Sequence, residues 1–301
     1  MFDLDSYLTT RRQRVDEFMQ RKMPPETARP ARLHAAMRYS IFGGGKRLRP
    51  ILALAACEAV GGESARALQP ACAIELLHTY TLIHDDRPAM DDDALRRGRP
   101  TCHIAFDEAT AILAGDSLLT LAFQWLAESE APPPFSAADY VRELAVAAGS
   151  DGVIGGQAED IAAENLARKK NATAADAELL DYIHAHKTGD LIVAAVRIGA
   201  IAGGATKPQL EKLTTSARAA GLAFQIADDI LNVTSTAAHL GKAVGTDAAR
   251  GKLTYVSVHG LEGAKHRAAE LISESVAALE IFGDRGAPLR ALVGHVVTRS
   301  N

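Results

Sequence analysis

Two pairs of adjacent aspartates interrupt apolar, helix-patterned parts of this 301-residue chain, and this feature limits its possible folds most strongly. Asp85 and Asp86 come at the end of a predicted helix over residues 70–86. Asp228 and Asp229 lie inside the apolar segment AFQIADDILN. Buried carboxylates are strongly destabilising unless cations compensate them. The fold must therefore either expose these four side chains or bring positive charge to them.

Helix signals run along the whole chain, and no period-2 pattern of sustained length predicts a sheet. Pro50 fits the first turn of a helix that the Gly61–Gly62 pair ends, and the bond before Pro88 predicts the end of the 70–86 helix. The segment at 131–135 (APPPF) predicts a loop. Capping signals and glycine stops predict further helices over residues 107–129, 137–149, 174–201, 206 to about 233, and 263–280. No linker divides the chain, so we predict one all-α domain over residues 1–301, a bundle of roughly ten or more helices.

The first acidic cluster combines a polar helix face with a loop. His78, Thr81 and Asp85 share one face of the 70–86 helix, at spacings of three, four and seven residues. Three more aspartates follow Pro88, at 91–93. An exposed helix end explains residues 91–93 equally well. A divalent cation is the stronger explanation for acids within apolar helix, since carboxylate oxygens suit Mg²⁺, which shares its shell with water and phosphates.

The lysines and arginines near the acidic clusters predict a phosphate ligand. The glycine-rich stretch GGGKRLRP (43–50) stands just before a helix, where backbone and side-chain donors favour anions. It lacks the P-loop pattern. Each cation alone is explained as well by an exposed surface position, but their joint placement favours a polyphosphate site. The candidates are Lys46, Arg47, Arg49, Arg96, Arg97, Arg99, Lys187 with Thr188, Lys242 and Lys252.

Composition excludes some other classes of function. A net charge of −4 and an aromatic fraction of 5% argue against a nucleic-acid binder, which needs positive charge and stacking rings. The three cysteines lack C-x-x-C spacing, which is typical of a reducing compartment. We find no secretory signal pattern and no stretch near the roughly 20 apolar residues that span a bilayer. We therefore predict a cytoplasmic protein without a membrane span.

Taken together, these motifs resemble the trans-isoprenyl diphosphate synthases, the group that contains farnesyl and geranylgeranyl diphosphate synthases. The stretch HDDRPAMDDDALRRGRPT resembles the first aspartate-rich motif of that family, in its D-D-x4-D form with a proline-containing insertion. FQIADDILN resembles the second motif, and the likeness extends from GGGKRLRP through GTDAARGKLTY. The resemblance implies an isoprenoid synthase bundle around a central cavity, usually in a homodimer. It implies a prenyltransferase that condenses isopentenyl diphosphate with an allylic diphosphate.

The same resemblance implies a role for each matching residue. Three Mg²⁺ ions stabilise the departing diphosphate, and the isopentenyl double bond attacks the allylic cation. The main-chain carbonyl near Lys187, with Thr188 and Gln225, faces that cation. The implied metal ligands are Asp85, Asp86 and Asp91 for two ions, and Asp228 with Asp229 for the third. The implied ligands of the allylic diphosphate are Arg96, Lys187, Gln225 and Lys242, with Lys252 nearby, and those of isopentenyl diphosphate are Lys46, Arg49, His78 and Arg97.

The product length is implied by the residues just before the first aspartate. Tyr80 stands five residues before Asp85 and is followed by Thr81, so that both are expected below the metal site. A bulky aromatic side chain at that position usually stops elongation at C15 in this family. We therefore favour farnesyl over geranylgeranyl diphosphate, while packing of Tyr80 elsewhere is the alternative.

Two positions depart from the family pattern. Asn232 stands where the second motif usually has its last aspartate, and its uncharged amide predicts weaker binding of the third Mg²⁺. Arg87 replaces a usually apolar residue and either pairs with a neighbouring aspartate or points to solvent. Three alternatives stay open: a synthase of another chain length, a divergent enzyme that cyclises or couples a prenyl diphosphate, and a modulatory subunit without its own activity.

Overall fold

The computed structural model describes residues 2–164, 174–234 and 253–298. Thirteen α-helical segments make up most of this part of the chain, in agreement with the predicted all-α class. The first half holds α1 (Leu4–Lys22), α2 (Ala31–Ile41), α3 (Leu48–Ala59), α4 (Ser64–Asp85), β1 (Leu95–Arg96), β2 (Arg99–Pro100), α5 (Cys102–Ala105), α6 (Glu108–Ala127) and α7 (Ala137–Ala148). The second half holds α8 (Val153–Glu164), α9 (Ala174–Ile183), a π-helical turn (His184–Gly189), α10 (Asp190–Ala202), α11 (Lys207–Thr234), α12 (Tyr255–Ala278), a 3₁₀ turn (Glu280–Gly286) and α13 (Ala287–Thr298).

Helix ends that depend on local capping agree with the sequence predictions. Asp139 accepts the backbone N–H of Ser136 at 2.9 Å in the predicted capping box of α7. Gln209 likewise accepts the N–H of Thr206 at 2.8 Å before α11. The helix that carries the first aspartates ends at Asp85, three residues before Pro88. Short-range hydrogen bonds and the steric effect of proline are sufficient to set these ends.

Other boundaries differ from prediction. The 70–86 helix begins at Ser64, because Pro70 is accommodated inside α4 and buried in the core. The predicted 263–280 helix begins at Tyr255 and is followed by α13, which the sequence analysis missed along with α1, α2 and α8. The predicted continuous helix over 174–201 is interrupted by the π-helical turn at His184–Gly189. Such turns occur often at functional sites, and this one carries Lys187 and Thr188.

The core lies around α3, α4 and α10, which pack against one another. Ten of the 13 residues of α10 are buried, so this helix is apolar on nearly every side, as expected for a central helix. Close packing against α3 depends on Gly199, because a Cβ atom there would lie 1.9 Å from the carbonyl oxygen of Ala53. The three cysteines are free and buried, as predicted.

We expect Gly199→Ala to destabilise the fold by at least about 1–3 kcal/mol, the range for overpacked cores, because the new methyl group meets backbone that has no room to move. Thermal unfolding of the two proteins measures this difference. Gly294→Ala is the matched control, since a Cβ atom there meets nothing within 4 Å. A control variant as unstable as Gly199→Ala would contradict the packing argument.

One helix is long and apolar enough to bear on the expectation about membrane spans. By length and apolar composition alone, α6 is sufficient to cross a bilayer. In the fold, however, it packs against α2, α4 and α7, and its Ala114, Leu118 and Trp125 are buried. A helix in the core of a protein can be as long and as apolar as a membrane span, because burial in protein and burial in lipid select the same residue types.

Candidate active site

A cavity of about 400 Å³ lies between α4, α8 and the π-helical turn. One part of its wall is charged or polar, and the remainder is largely apolar. Its lining brings together seven of the residues predicted from sequence, namely Arg49, His78, Tyr80, Thr81, Asp85, Lys187 and Thr188. The polar face of α4 therefore points into a cavity, and not to bulk solvent.

Asp85 is the aspartate of the first pair that faces this cavity. Its pKa is raised to about 6, mainly by burial and in part by the neighbouring carboxylates of Asp91 and Asp86, while the positive charges of Lys187 and Arg96 oppose the shift. The loop after α4 folds back on the helix end, since the N–H of Asp91 donates to the carbonyl oxygen of Asp85 at 2.8 Å. The break before Pro88 thus returns Asp91 to Asp85, as the sequence indicated.

Asp86 has a different environment from Asp85. It is 3% exposed, and the Nε atom of Arg96 lies 2.7 and 2.9 Å from its two carboxylate oxygens. The family resemblance implies a metal ligand at Asp86 and a diphosphate ligand at Arg96, but in this structure the two side chains bind each other. Adjacent helix residues point about 100° apart, so Asp85 and Asp86 have different surroundings. Their roles toward a metal and a ligand stay predictions.

A short hairpin positions the arginines that follow the first cluster. β1 and β2 pair antiparallel, and their two-residue turn has positive φ at Arg97 (54°) and Gly98 (75°). Two such residues are typical of a tight hairpin turn. The turn carries Arg97 to the glycine-rich loop, where its Nη1 atom donates to the carbonyl oxygen of Gly44.

The glycine-rich loop is held by a buried ion cluster that involves Arg47. Its guanidinium contacts Asp16 at 2.7 Å, Glu75 at 2.9 Å and the carbonyl oxygen of Ile41 at 2.7 Å. Arg47 itself has φ of 52°, which is uncommon for a residue other than glycine. These contacts neutralise Arg47 and show that it anchors the loop, while Arg49 faces the cavity.

Positive charge surrounds His78 and Arg49 without full compensation. Arg49 approaches the His78 Nε2 atom at 3.4 Å, and within the described residues its own Nε atom is buried without a hydrogen-bond partner. Burial and the guanidinium of Arg49 lower the pKa of His78 well below its ordinary value, with Arg97 contributing. His78 is therefore neutral at neutral pH. Burial also lowers the pKa of Arg49, so this corner of the cavity favours an anion.

The π-helical turn presents Lys187 to the opposite part of the cavity. Its Nζ atom forms an ion pair with Asp160 of α8. Thr188 also lines the cavity. The two elements approach at backbone level, because a Cβ atom on Gly156 would lie 2.2 Å from the Lys187 nitrogen. The π-helical turn therefore fixes Lys187 close to α8.

The two aspartates of the second pair have different environments. Asp229 is 8% exposed and accepts the backbone N–H of Tyr255 at 2.6 Å, at the start of α12. His184 of the π-helical turn lies 3.6 Å from the same carboxylate, and burial lowers the pKa of this histidine to about 4. Asp228 is exposed. Asp229 thus has a structural contact that the sequence did not predict, and metal binding by either residue stays a prediction.

Two further residues on α11 complete this side of the site. Gln225 stands one turn before Asp229 and is half-buried, as is Asn232. Gly221 brings α11 against the π-helical turn, since a Cβ atom there would lie 3.2 Å from the Gly189 Cα atom. The second motif therefore lies beside the segment that carries Lys187.

Tyr80 lies in the cavity wall, one turn before His84, and is 8% exposed. The two rings meet edge-on with centroids 5.1 Å apart. Thr81 bonds back to the carbonyl oxygen of His78 at 2.8 Å. Tyr80 thus lines the cavity, whereas its effect on product length stays a prediction.

Arg87 has a local contact at the cavity edge. Its Nε atom donates to the carbonyl oxygen of His84 at 3.3 Å, at the carboxyl end of α4. A cation there is favourable for the helix dipole. This contact differs from both alternatives that the sequence suggested, since Arg87 lines the cavity and bonds to a helix carbonyl.

Some site residues are missed by sequence reasoning, and others lie beyond the described residues. Gln157 lines the cavity, and Asp160 pairs with Lys187 at its edge. The one sequence signal for this part of α8 is the glycine pair at 155–156, which is typical of a helix that approaches another backbone closely. Lys46 is described and exposed. Lys242 and Lys252 lie outside the described residues.

The donor set around Asp85 suits a hard divalent cation that takes further ligands from its substrate. Within the described part of the chain, no three His, Cys, Asp or Glu side chains converge to form a complete metal cage. Mg²⁺ requires no such cage, since it keeps waters and binds substrate phosphates. The raised pKa of Asp85 means that its surroundings disfavour the charged form, and a bound cation would stabilise that form.

Comparisons with known proteins identify the family to which this chain belongs. Residues 30–280 match the family model described as polyprenyl synthetase. A heterodimeric geranylgeranyl pyrophosphate synthase large subunit from Arabidopsis thaliana, named as chloroplastic, is 44% identical over all of this chain and 80% of its own length. A chloroplastic geranylgeranyl pyrophosphate synthase from Capsicum annuum is 47% identical over 90% of this chain and 73% of its own. The structure of an FPP/GFPP synthase from Zymomonas mobilis superposes with a TM-score of 0.84 at 38% identity, covering 98% of each chain.

The helical bundle, with acidic and basic groups facing one another around a cavity, defines a class of enzymes that act on isoprenoid diphosphates. This chain belongs to the polyprenyl synthetase family and is a short-chain trans-prenyltransferase.

Proposed function

We propose that this enzyme condenses isopentenyl diphosphate with dimethylallyl or geranyl diphosphate, in a reaction dependent on Mg²⁺, to give farnesyl diphosphate and diphosphate. The observation that carries this proposal is that one cavity holds both a carboxylate, Asp85, and the cation of Arg49, whose buried Nε atom has no hydrogen-bond partner among the described residues. Bound metal would supply positive charge that stabilises the departing diphosphate.

The isopentenyl diphosphate site comprises Lys46, Arg49, His78 and Arg97. Arg49 offers a buried N–H without a partner among the described residues, and the neutral ring of His78 can donate from one nitrogen while the other faces Arg49. A cyclising enzyme has no second diphosphate to hold, so this site favours elongation over cyclisation.

The allylic diphosphate lies toward Lys187, Thr188 and Gln225, with Arg96, Lys242 and Lys252 as further cations. Asp85, Asp86 and Asp91 would hold two of three Mg²⁺ ions, and Asp228 with Asp229 would hold the third. For these roles Arg96 must release Asp86, and Lys187 must release Asp160. Both exchanges are favourable when a polyphosphate replaces one carboxylate as the partner of each cation.

The product assignment depends on Tyr80, whose buried ring lies in the cavity wall. Geranylgeranyl diphosphate is the second candidate product, because relatives that cover the whole chain are geranylgeranyl pyrophosphate synthases by name. The C15 product follows if Tyr80 limits the depth of the cavity, and a longer product follows if it does not.

The test is to measure diphosphate release with each substrate alone and with both together. Elongation predicts release only when an allylic diphosphate, isopentenyl diphosphate and Mg²⁺ are all present. Release from the allylic substrate alone would indicate cyclisation, and no release under any condition would favour a modulatory subunit. Either result would contradict the proposal.

Arg49→Met should raise the KM for isopentenyl diphosphate by about 10- to 100-fold, as expected for a lost hydrogen bond to a charged group of about 1.5–3 kcal/mol. The KM for the allylic substrate should change little. Steady-state kinetics with one substrate varied at a time gives both values. The exposed Arg21 on α1 offers a control, Arg21→Met. Equal effects on both KM values would argue against a dedicated isopentenyl site.

We propose a homodimer that is formed through α6 and α7. Leu113 is 55% exposed and Val146 is 70% exposed, on two helices that pack against each other. Leu113→Asp should shift the protein from dimer to monomer in analytical ultracentrifugation, because a buried unpaired charge opposes association. The exposed Val233 of α11 gives the control Val233→Asp, which should stay dimeric.

The cytoplasmic location stays a prediction, as the plant relatives are named chloroplastic.

A further inference from the structure

A buried amide without a hydrogen-bond partner lies in the wall of the central cavity. Gln157 of α8 is 8% exposed. Within the described part of the chain, neither its Oε1 atom nor its Nε2 atom has a hydrogen-bond partner. Buried polar groups in folded proteins are nearly always paired, and leaving both ends of an amide unpaired is costly. Packing alone therefore does not explain this residue.

The neighbours of Gln157 on α8 make the amide more unusual. The α8 side chains that line the cavity are Val153, Ile154, Gln157, Ala158 and Ile161. Their spacing places them on one helix face, and Gln157 is the polar member of that set. An apolar side chain of the same shape would complete a wall suited to a hydrocarbon chain. The amide is thus retained at a cost to stability, which is typical of functional positions.

Two contacts place Gln157 beside the charged part of the cavity. The preceding residue, Gly156, approaches the backbone of Lys187 so closely that a Cβ atom would lie 2.2 Å from its nitrogen. Asp160, three residues further along α8, forms an ion pair with the Lys187 amine. Residues three apart on a helix are neighbours. Gln157 therefore lies next to Lys187, at the boundary between the charged and the apolar lining.

We propose that Gln157 is a catalytic residue that contacts the allylic substrate where its C–O bond breaks. This inference rests on the function proposed above. In that reaction the electron pair of the C–O bond leaves with the diphosphate. The isopentenyl double bond then forms the new C–C bond, and the proton released passes to the departed diphosphate.

Gln157 gives neither electrons nor a proton to this sequence. Its NH₂ group donates a hydrogen bond to the leaving diphosphate, while its carbonyl oxygen faces the positive charge that develops on the allylic carbon. Both ends of the amide dipole are then satisfied, and both interactions strengthen as charge separates. An oriented dipole in a site that excludes water contributes most to such a transition state, because it needs no reorganisation.

Gln157→Met tests this role, because it keeps the length of the side chain and removes both polar atoms. We expect kcat to fall by about 10- to 100-fold, in the direction seen when a preorganised donor is removed from other active sites. We expect the melting temperature to stay equal or rise, since an unpaired buried amide is removed. Gln13→Met, at an exposed position on α1, is the matched control and should change neither value.

Binding of an allylic thiolodiphosphate, which resists ionisation, separates the transition state from the ground state. We expect its Kd to change less than the kcat does. A Gln157→Met enzyme with a kcat within twofold of wild type would overturn the inference, and so would a loss confined to binding of the analogue. In both cases an active wild type leaves the proposed function intact, whereas an inactive wild type contradicts that function itself.

Discussion

Asp85→Asn should lower the kcat for elongation by at least about 10²-fold, the range seen when a single group that stabilises charge is removed from an active site. Asn keeps the shape of Asp85 but removes the negative charge that faces the cavity beside Asp91 and Lys187. The half-saturating Mg²⁺ concentration should rise as well, because a neutral amide is a weaker ligand for this cation. Initial rates over a Mg²⁺ titration give both quantities.

The matched control is Asp92→Asn, the same chemical change in the adjoining loop. Asp92 is exposed and has φ of 52°, a conformation that Asn adopts readily. It should keep its rate and its Mg²⁺ dependence. If both variants lost activity equally, the effect would belong to the net charge of the loop and not to Asp85 as a ligand.

Tyr80→Ala should shift the main product from C15 to C20 or longer. The ring of Tyr80 forms part of the cavity wall beside His84, so its removal extends the space available to the growing chain. Deletion of a buried aromatic side chain costs about 3–5 kcal/mol of stability. Tyr80→Leu is therefore a second variant that retains more of the packing. Chromatography of the dephosphorylated products gives the chain lengths.

Tyr80→Phe is the matched control, because it keeps the ring and loses only the hydroxyl group. It should give the wild-type product. A Tyr80→Ala enzyme and a Tyr80→Leu enzyme that both stop at the wild-type length would show that another part of the cavity limits elongation. That result would remove the main support for a farnesyl product.

Features that depend on neighbouring residues in the sequence were predictable. The capping boxes at Ser136 and Thr206, the end of α4 before Pro88 and the shared face of His78 and Asp85 all follow from short-range geometry. Seven of the residues that the family resemblance implied, carried by motifs in a fixed order, line one cavity. Local pattern thus predicted the class of fold, while the roles of the site residues stay predictions.

Helices with a weak apolar pattern were not predictable in the same way. In α1 only Val15 and Met19 are buried, so its sequence reads as largely polar. In α8 the pair Gly155–Gly156 lowers helix propensity. The structure requires a small residue there, since a Cβ atom on Gly156 would lie 2.2 Å from the Lys187 nitrogen. Tertiary contacts override the local preference in both helices.

Pairings across the fold also escaped prediction. Arg96 reaches Asp86 through a hairpin turn, and Lys187 reaches Asp160 from a π-helical turn that interrupts an apparently regular helix. Asp229 accepts a backbone N–H from α12, 26 residues further along the chain. Partners of this kind depend on how elements pack, and the residues themselves do not specify that information locally.

The central claim is that one cavity holds two prenyl diphosphates and joins them. Mass spectrometry of the products tests it most directly, after incubation with isopentenyl diphosphate, Mg²⁺ and dimethylallyl, geranyl or farnesyl diphosphate in turn. We expect dimethylallyl and geranyl diphosphate to yield a C15 diphosphate, and no product when the metal is chelated. An absence of any elongated product from all three donors would contradict the account.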